Sequence, residues 1–158
     1  MLSANKEEWT VEVDVPLPHC PSAQAAYEKL ASPTKWKEWR SSEFVKIKCQ
    51  AGKGVSEPVK TNDEWFFYPF IFTFTNKAIE AEATDDTAVM DAVGRGLFGL
   101  MHARLRFDVY KNDKGEWMGK AREKHMRGRW MFPKDDVIRG EHRTMFQELD
   151  KLFEEEAK

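Results

Sequence analysis

Trp9-Thr10-Val11-Glu12-Val13-Asp14-Val15 alternates apolar and polar residues with a period of two, the pattern of a strand with one dry and one wet face. Pro16 and Pro18 end it. Pro21 and Ser22 then open a helix in which Ala23, Ala26, Tyr27 and Leu30 recur at helical spacing, with Ser22 as the N-cap and Ser32-Pro33 as the stop. Thr34 is placed to cap a second short turn, where Trp36 and Trp39, three residues apart, share a face and are expected to plug the core. At the far end, after Pro133, a second signal matches the first. Ile138, His142, Met145, Leu149 and Leu152, with Phe146 and Phe153 beside them, draw one apolar stripe along a helix expected from about Lys134 to Glu155. That stripe needs a concave sheet to lie on.

Between the two ends the chain reads as strands: Phe44 to Cys49, Thr61 to Tyr68, Phe70 to Ala83, Thr87 to Val93, Met101 to Lys111 and Glu116 to Arg127. The breakers are short: Gly52-Lys53-Gly54, Pro69, Asp85-Asp86, Gly94 to Gly99 and the Asn112-Asp113-Lys114-Gly115 hairpin. Connections of two to six residues cannot carry parallel crossovers, so the strands form an antiparallel meander. The order predicts an α+β helix-grip fold over a single domain, residues 1–158. A bent antiparallel sheet of about seven strands would wrap around the long C-terminal helix and enclose an internal hydrophobic cavity.

Bulk properties narrow the function. At 158 residues one sizeable core is expected, since a globule of this size buries roughly 70% of its unfolded surface. Six Trp and eleven Phe are generous for this length, and large aromatics both fill cores and line apolar pockets. Lys+Arg 25 against Asp+Glu 27 gives a net charge of -2, which lacks the electrostatic footprint of a nucleic-acid binder. The basic run Lys120, Arg122, Lys124, Arg127, Arg129 reads as a solvated strand face. Cys20 and Cys49 are too few for a disulfide framework and lack zinc-site spacing, so both are expected as free thiols in a reducing compartment. The N-terminus is polar and no stretch is long and apolar enough for a spanning helix, so a cytoplasmic location without stable membrane insertion is expected.

The segments Val11-Glu12-Val13-Asp14-Val15, Ala25-Ala26-Tyr27-Glu28-Lys29-Leu30 and Pro33-Thr34-Lys35-Trp36-Lys37-Glu38-Trp39 together resemble the START-like (SRPBCC) superfamily. That superfamily includes polyketide cyclases, plant pathogenesis-related lipid-binding proteins and Hsp90 co-chaperone activator-like domains. Arg122-Glu123-Lys124-His125-Met126-Arg127-Gly128 is similar to its last strand, and the resemblance covers nearly the whole chain. It implies the helix-grip fold and leaves the function open, because members carry, sense or transform many ligands. One departure stands out: several bacterial members aim a His at the start of the sixth strand inward. Here His102 alternates with Arg104, Arg106 and Asp108, opposite the apolar set Ala103, Leu105, Phe107 and Val109, and is expected outside or at the strand end.

The candidates for chemistry follow from the same alternation. Lys120, Arg122 and Lys124 share one face of the last strand and belong in water, which turns Glu123 and His125 inward beside Gly119 and Ala121. Desolvation there would bring both pKa values toward neutrality, as acid/base catalysis requires; the alternative is an inert, hydrogen-bonded pair at the rim. His142 lies on the apolar stripe of the terminal helix, either as a satisfied core residue or as a third group meeting Glu123 or His125 across the cavity. Glu123, His125 and His142 are therefore the catalytic candidates. Trp65, Phe67, Phe72 and Phe74 from the aromatic block, Leu105 and Phe107 from the sixth strand, and Met145 and Leu149 from the helix are the ligand-binding candidates. Gly94-Arg95-Gly96-Leu97-Phe98-Gly99 lacks the Lys-Ser/Thr and the strand-to-helix context of a phosphate loop, and reads as a flexible connection. No metal-spaced cluster, serine elbow or Cys/His dyad is visible, and no cofactor is implied.

Three functions fit this reading. The first is a cofactor-independent polyketide cyclase-like enzyme that directs cyclisation or dehydration of an oxygenated, mostly apolar small molecule. The second is a carrier or sensor of a lipid-like hydrophobic ligand, for which the same cavity suffices. The third is a chaperone-regulating module working through an outer surface.

Overall fold

The computed structural model describes residues 8–42, 48–68 and 73–158. The opening strand β1 (Val11–Pro16) alternates buried and exposed residues along its length, as the period of two demands. Helix α1 (Ala23–Leu30) starts at Ser22, whose Oγ accepts the Ala25 N–H at 3.1 Å. A 3₁₀ turn spans Pro33–Glu38 and buries Trp36, whose indole N–H donates to the Leu30 carbonyl. Trp39 is only partly buried against the core. Thr34 does not cap this turn: Ser32 holds the cap position, and the Thr34 backbone N–H and hydroxyl both donate to Glu57.

Six strands follow: β2 (Lys48–Ala51), β3 (Glu64–Tyr68), β4 (Phe74–Ala83), β5 (Thr87–Gly96), β6 (Met101–Lys111) and β7 (Trp117–Arg127). With β1 they form one seven-stranded sheet in the order β1-β7-β6-β5-β4-β3-β2, every neighbouring pair antiparallel. The expected starts at Phe44 and Phe70 lie outside the described residues. Thr61 to Asp63 is a turn before β3, where the Asp63 carboxylate accepts the Lys60 N–H. Gly94 and Gly96, expected in a flexible connection, belong to β5 instead. The Phe74 ring of β4 lies across both: a Cβ on Gly94 would come within 2.2 Å of it and one on Gly96 within 2.4 Å. These glycines are pleat positions that make room for an aromatic ring.

Two bulges bend the sheet. Register shifts between Ala78 and Glu80 on β4, and opposite His102 and Ala103 on β7, where Met126 is the extra residue. The second has a chemical consequence. Strict alternation would turn Arg127 inward after His125, but the extra residue resets the pleat, and Arg127 instead pairs with His102 on the outer face.

Helix α2 (Asp135–Glu156) lies in the concavity and buries Ile138, His142, Met145, Phe146, Leu149 and Phe153 along one stripe. Asp135 and Asp136 sit in its first turn, where a carboxylate complements the helix dipole. Close approach to the sheet depends on Gly119 of β7: a Cβ there would fall 2.6 Å from the Phe146 ring. On the outer face, buried Asp91 accepts from Arg104 and Arg106, and Asp108 accepts from Arg106 and Arg122. Trp9 stacks over the guanidinium groups of both Arg104 and Arg122. The basic strand face is thus a paired, partly covered ladder rather than a freely solvated one.

Candidate functional site

Glu123 sits on the inner face of β7, opposite Leu105 of β6 and Val11 of β1. Two imidazoles close on its carboxylate. His125, two residues along the same strand face, places Nε2 2.8 Å from Oε2, and His142 of α2 places Nε2 2.7 Å from Oε1. The His125 side chain is fully buried and the Glu123 side chain 16% exposed. The strand supplies one histidine and the helix the other, so the site exists only when α2 is docked.

Burial works to raise the Glu123 pKa, but hydrogen bonds from His125 and His142 outweigh it and bring the carboxyl down to about 2. The expectation of a Glu pKa near neutrality is therefore corrected: two N–H donors stabilise the anion more than desolvation penalises it. Glu123 is not the acid. An ionised carboxylate only accepts hydrogen bonds, which fixes the tautomer of both partners: each Nε2 carries a proton and donates it to Glu123. Each neutral imidazole then keeps its lone pair on Nδ1. Both Nδ1 atoms are buried and lack a hydrogen-bond partner in the protein.

Packing holds the two rings in place. His125 stacks on Phe132, centroids 4.2 Å apart and planes within 14°, while its backbone N–H donates to Thr10 Oγ1. His142 meets the Phe107 ring edge-on at 5.7 Å, and Phe107 packs in turn on Phe146. Phe132 and Thr10 were not singled out from sequence. Phe132 lies beyond the last strand, where neither strand nor helix periodicity reports its direction.

The other sequence candidates fall around this cluster. Phe107, Met145 and Leu149 are buried against it, and Leu105 is half-buried beside Glu123. Trp65 and Phe67 point inward from β3 into the same core, where Phe67 packs 6.0 Å from Trp36. Phe74 covers Gly94 and Gly96, and Phe72 lies outside the described residues. The described side chains expected as chamber walls pack into one apolar core. A cleft of about 390 Å³ opens on the flank of α2, lined in part by Arg40, Ser41, Gly140, Glu141, Met145 and Glu148. Glu141 and Met145 bracket His142 in sequence, so this cleft borders the turn of α2 that carries the imidazole.

Tyr27 donates from its hydroxyl to the Val59 carbonyl and is structural, as is Asp91 in the outer ladder. Cys20 and Cys49 are free, and burial pushes their thiols up to about 11 and about 12, which keeps them protonated and poorly nucleophilic. His102 lies on the outer side of β6 between Arg95 and Arg127. Among the described residues no three His, Cys, Asp or Glu side chains are gathered as a metal site, and no helix is long and apolar enough to cross a membrane.

Solved structures share this architecture. A hypothetical protein of Helicobacter pylori superposes with a TM-score of 0.68 at 14% identity, over 89% of this chain and 84% of that one. Truncated norcoclaurine synthase of Thalictrum flavum gives a TM-score of 0.56 at 13% identity, covering 90% of this chain and 91% of its own. Major latex-like protein 151 of Panax ginseng gives 0.56 at 10% identity, over 90% and 95%. The fold is the helix grip that these solved structures share: a curved seven-stranded antiparallel sheet with a C-terminal helix. No family model and no curated protein matches the sequence. At these identities the likeness carries the fold and leaves function to the site itself.

Proposed function

We propose that the protein is a cofactor-independent acid/base enzyme of polyketide-cyclase type, acting on a flexible, oxygenated and mostly apolar small molecule. The observation that carries this reading is one ionised carboxylate bridging two imidazoles, each left with a buried, unpartnered Nδ1. In this arrangement His125 or His142 takes a proton through Nδ1 from a carbon next to a carbonyl. Glu123 stabilises the imidazolium that forms. The enolate attacks a second carbonyl of the same chain, a carbon–carbon bond closes, and the imidazolium returns its proton to the new alkoxide. Loss of water from that product is the dehydration. The substrate enters along the flank of α2, where Met145 borders the cleft.

Solved proteins of this fold include one named norcoclaurine synthase, which supports an enzymatic use of such a scaffold. The test pairs a product assay on linear poly-β-ketones with direct binding, using wild type, Glu123→Gln, His125→Ala and His142→Ala. Turnover should fall by about 100-fold or more in Glu123→Gln and in at least one histidine variant while binding holds, as expected for lost acid/base catalysis. Binding without conversion by the wild type across the panel would instead make the protein a carrier of a lipid-like ligand. Full activity in all three variants would remove the cluster from the mechanism.

A further inference from the structure

Two turns meet at one end of the sheet, and both present large apolar side chains to water. The first, Leu97–Gly99 between β5 and β6, carries a fully exposed Phe98 and leads to Leu100, 58% exposed. The second, Arg129–Met131 after β7, carries Trp130 at 85% exposure, close to exposed Met126. They abut: a Cβ on Gly128 would fall 2.4 Å from the Leu100 carbonyl and 2.6 Å from the Met131 methyl. The first turn is also strained, because Leu97, Phe98 and Gly99 all take positive φ, at 49°, 55° and 85°. Two non-glycine residues hold an unfavourable backbone there, and the outcome is a phenylalanine with no core to enter. Strain kept at such a point suggests a use for the display.

The charges around this tip are mostly positive. Arg95 and Arg127 flank His102 in one row across β5, β6 and β7 beside the first turn; burial and the two arginines hold the His102 pKa below its ordinary value, so the charges of the row are the arginines. Arg129 sits in the second turn, with Lys134 and Arg139 along a cleft that Trp130 also lines. The acidic residues lining that cleft are Asp135 and Asp136 at the start of α2, paired with Arg129 and Arg139 respectively. The chain as a whole carries a net charge of -2, so this positive end is a local feature.

We propose that this tip docks the protein reversibly on an anionic lipid bilayer, with Phe98, Leu100 and Trp130 entering the interface and Arg95 and Arg127 facing the headgroups. Separate aromatic and aliphatic side chains protruding from two turns suit the soft headgroup boundary, where Trp is favoured and basic residues find anionic lipid. A rigid protein partner would call for a flatter, shape-matched patch. Docking of this kind needs no spanning helix. It is independent of the acid/base reading, although Phe132, which lines the Trp130 cleft, also stacks on His125 and so places the docked face beside the cluster.

The test is flotation of the full chain with vesicles of phosphatidylcholine alone or mixed in equal parts with phosphatidylglycerol. The wild type should float with the mixed vesicles at low salt and be released as salt rises, since the arginines act through screened electrostatics. Phe98→Ser and Trp130→Ser should each weaken binding by about tenfold or more, Arg127→Glu should do likewise, and Ile79→Ser, exposed on the β4 bulge, should not. Circular dichroism of each variant verifies folding. If a serine variant is unfolded, Trp130→Phe decides the matter: vesicles should blue-shift tryptophan emission in the wild type and not in that variant. A wild type that stays at the bottom of the gradient with mixed vesicles overturns the proposal, as does wild-type binding by both serine variants. Concentration-dependent dimerisation abolished by Phe98→Ser, without vesicle binding, would assign the tip to a second copy of the chain and equally overturn it.

Discussion

Glu123 shows how a single buried carboxylate is kept charged. Water is largely withdrawn from it, and two imidazole N–H groups replace that water at 2.8 and 2.7 Å. Its pKa falls from an ordinary 4.5 to about 2, so ionisation of Glu123 contributes stability that is fully present above the unfolded value and lost as pH falls through the folded one. The stability gap between wild type and Glu123→Gln should therefore be widest above about pH 5 and close between about pH 4.5 and 2. Denaturant melts of both proteins across that range check it, and a gap that stays constant would mean the carboxylate is not held ionised by its partners. The inward direction of Glu123 and His125 was legible in the alternation of Lys120, Arg122 and Lys124 with small residues. The sign of the pKa shift was not, because it depends on whether two specific nitrogens reach the carboxylate oxygens, and sequence reports burial better than hydrogen-bond geometry.

At the scale of elements, β7 and α2 define the site by how closely they approach. Gly119 lets the Phe146 ring rest on the strand backbone, and the same approach brings His142 within reach of Glu123. Gly119→Ala forces that ring away, and overpacking of this kind destabilises by about 1–3 kcal/mol. Truncating the ring makes room again, so Gly119→Ala should cost markedly less in a Phe146→Leu background than in the wild type. Thermal melts of the four proteins measure this, and strictly additive effects would mean the two residues do not share a contact. The terminal helix and its stripe were legible because seven large residues repeat at helical spacing. The bulge at Met126 was not, since an extra residue in a strand leaves no mark in an alternating pattern until the partner strand is known. Likewise Gly94 and Gly96 read as loop residues in isolation, and only the ring of Phe74 from the neighbouring strand explains them as strand.

Taken as a whole, the molecule is a seven-stranded antiparallel sheet whose concave face receives one long helix, and the order of elements along the chain was enough to foresee it. The residues expected to wall a chamber belong, where described, to one buried apolar cluster or pack against it, and the sequence does not separate wall from core because the aromatic side chains that line a cavity are the same ones that fill one. What the assembled fold achieves is to bring His125 from a strand and His142 from a helix, seventeen positions apart, onto one carboxylate. Nitrogen NMR of histidine ¹⁵N-labelled protein at neutral pH tests that claim most directly, with His125→Ala and His142→Ala assigning the signals. The account predicts that both residues carry their proton on Nε2 and leave Nδ1 unprotonated, and that Glu123→Gln disturbs both signals together. A proton resting on Nδ1 of either histidine, or signals in either that ignore Glu123→Gln, would contradict it.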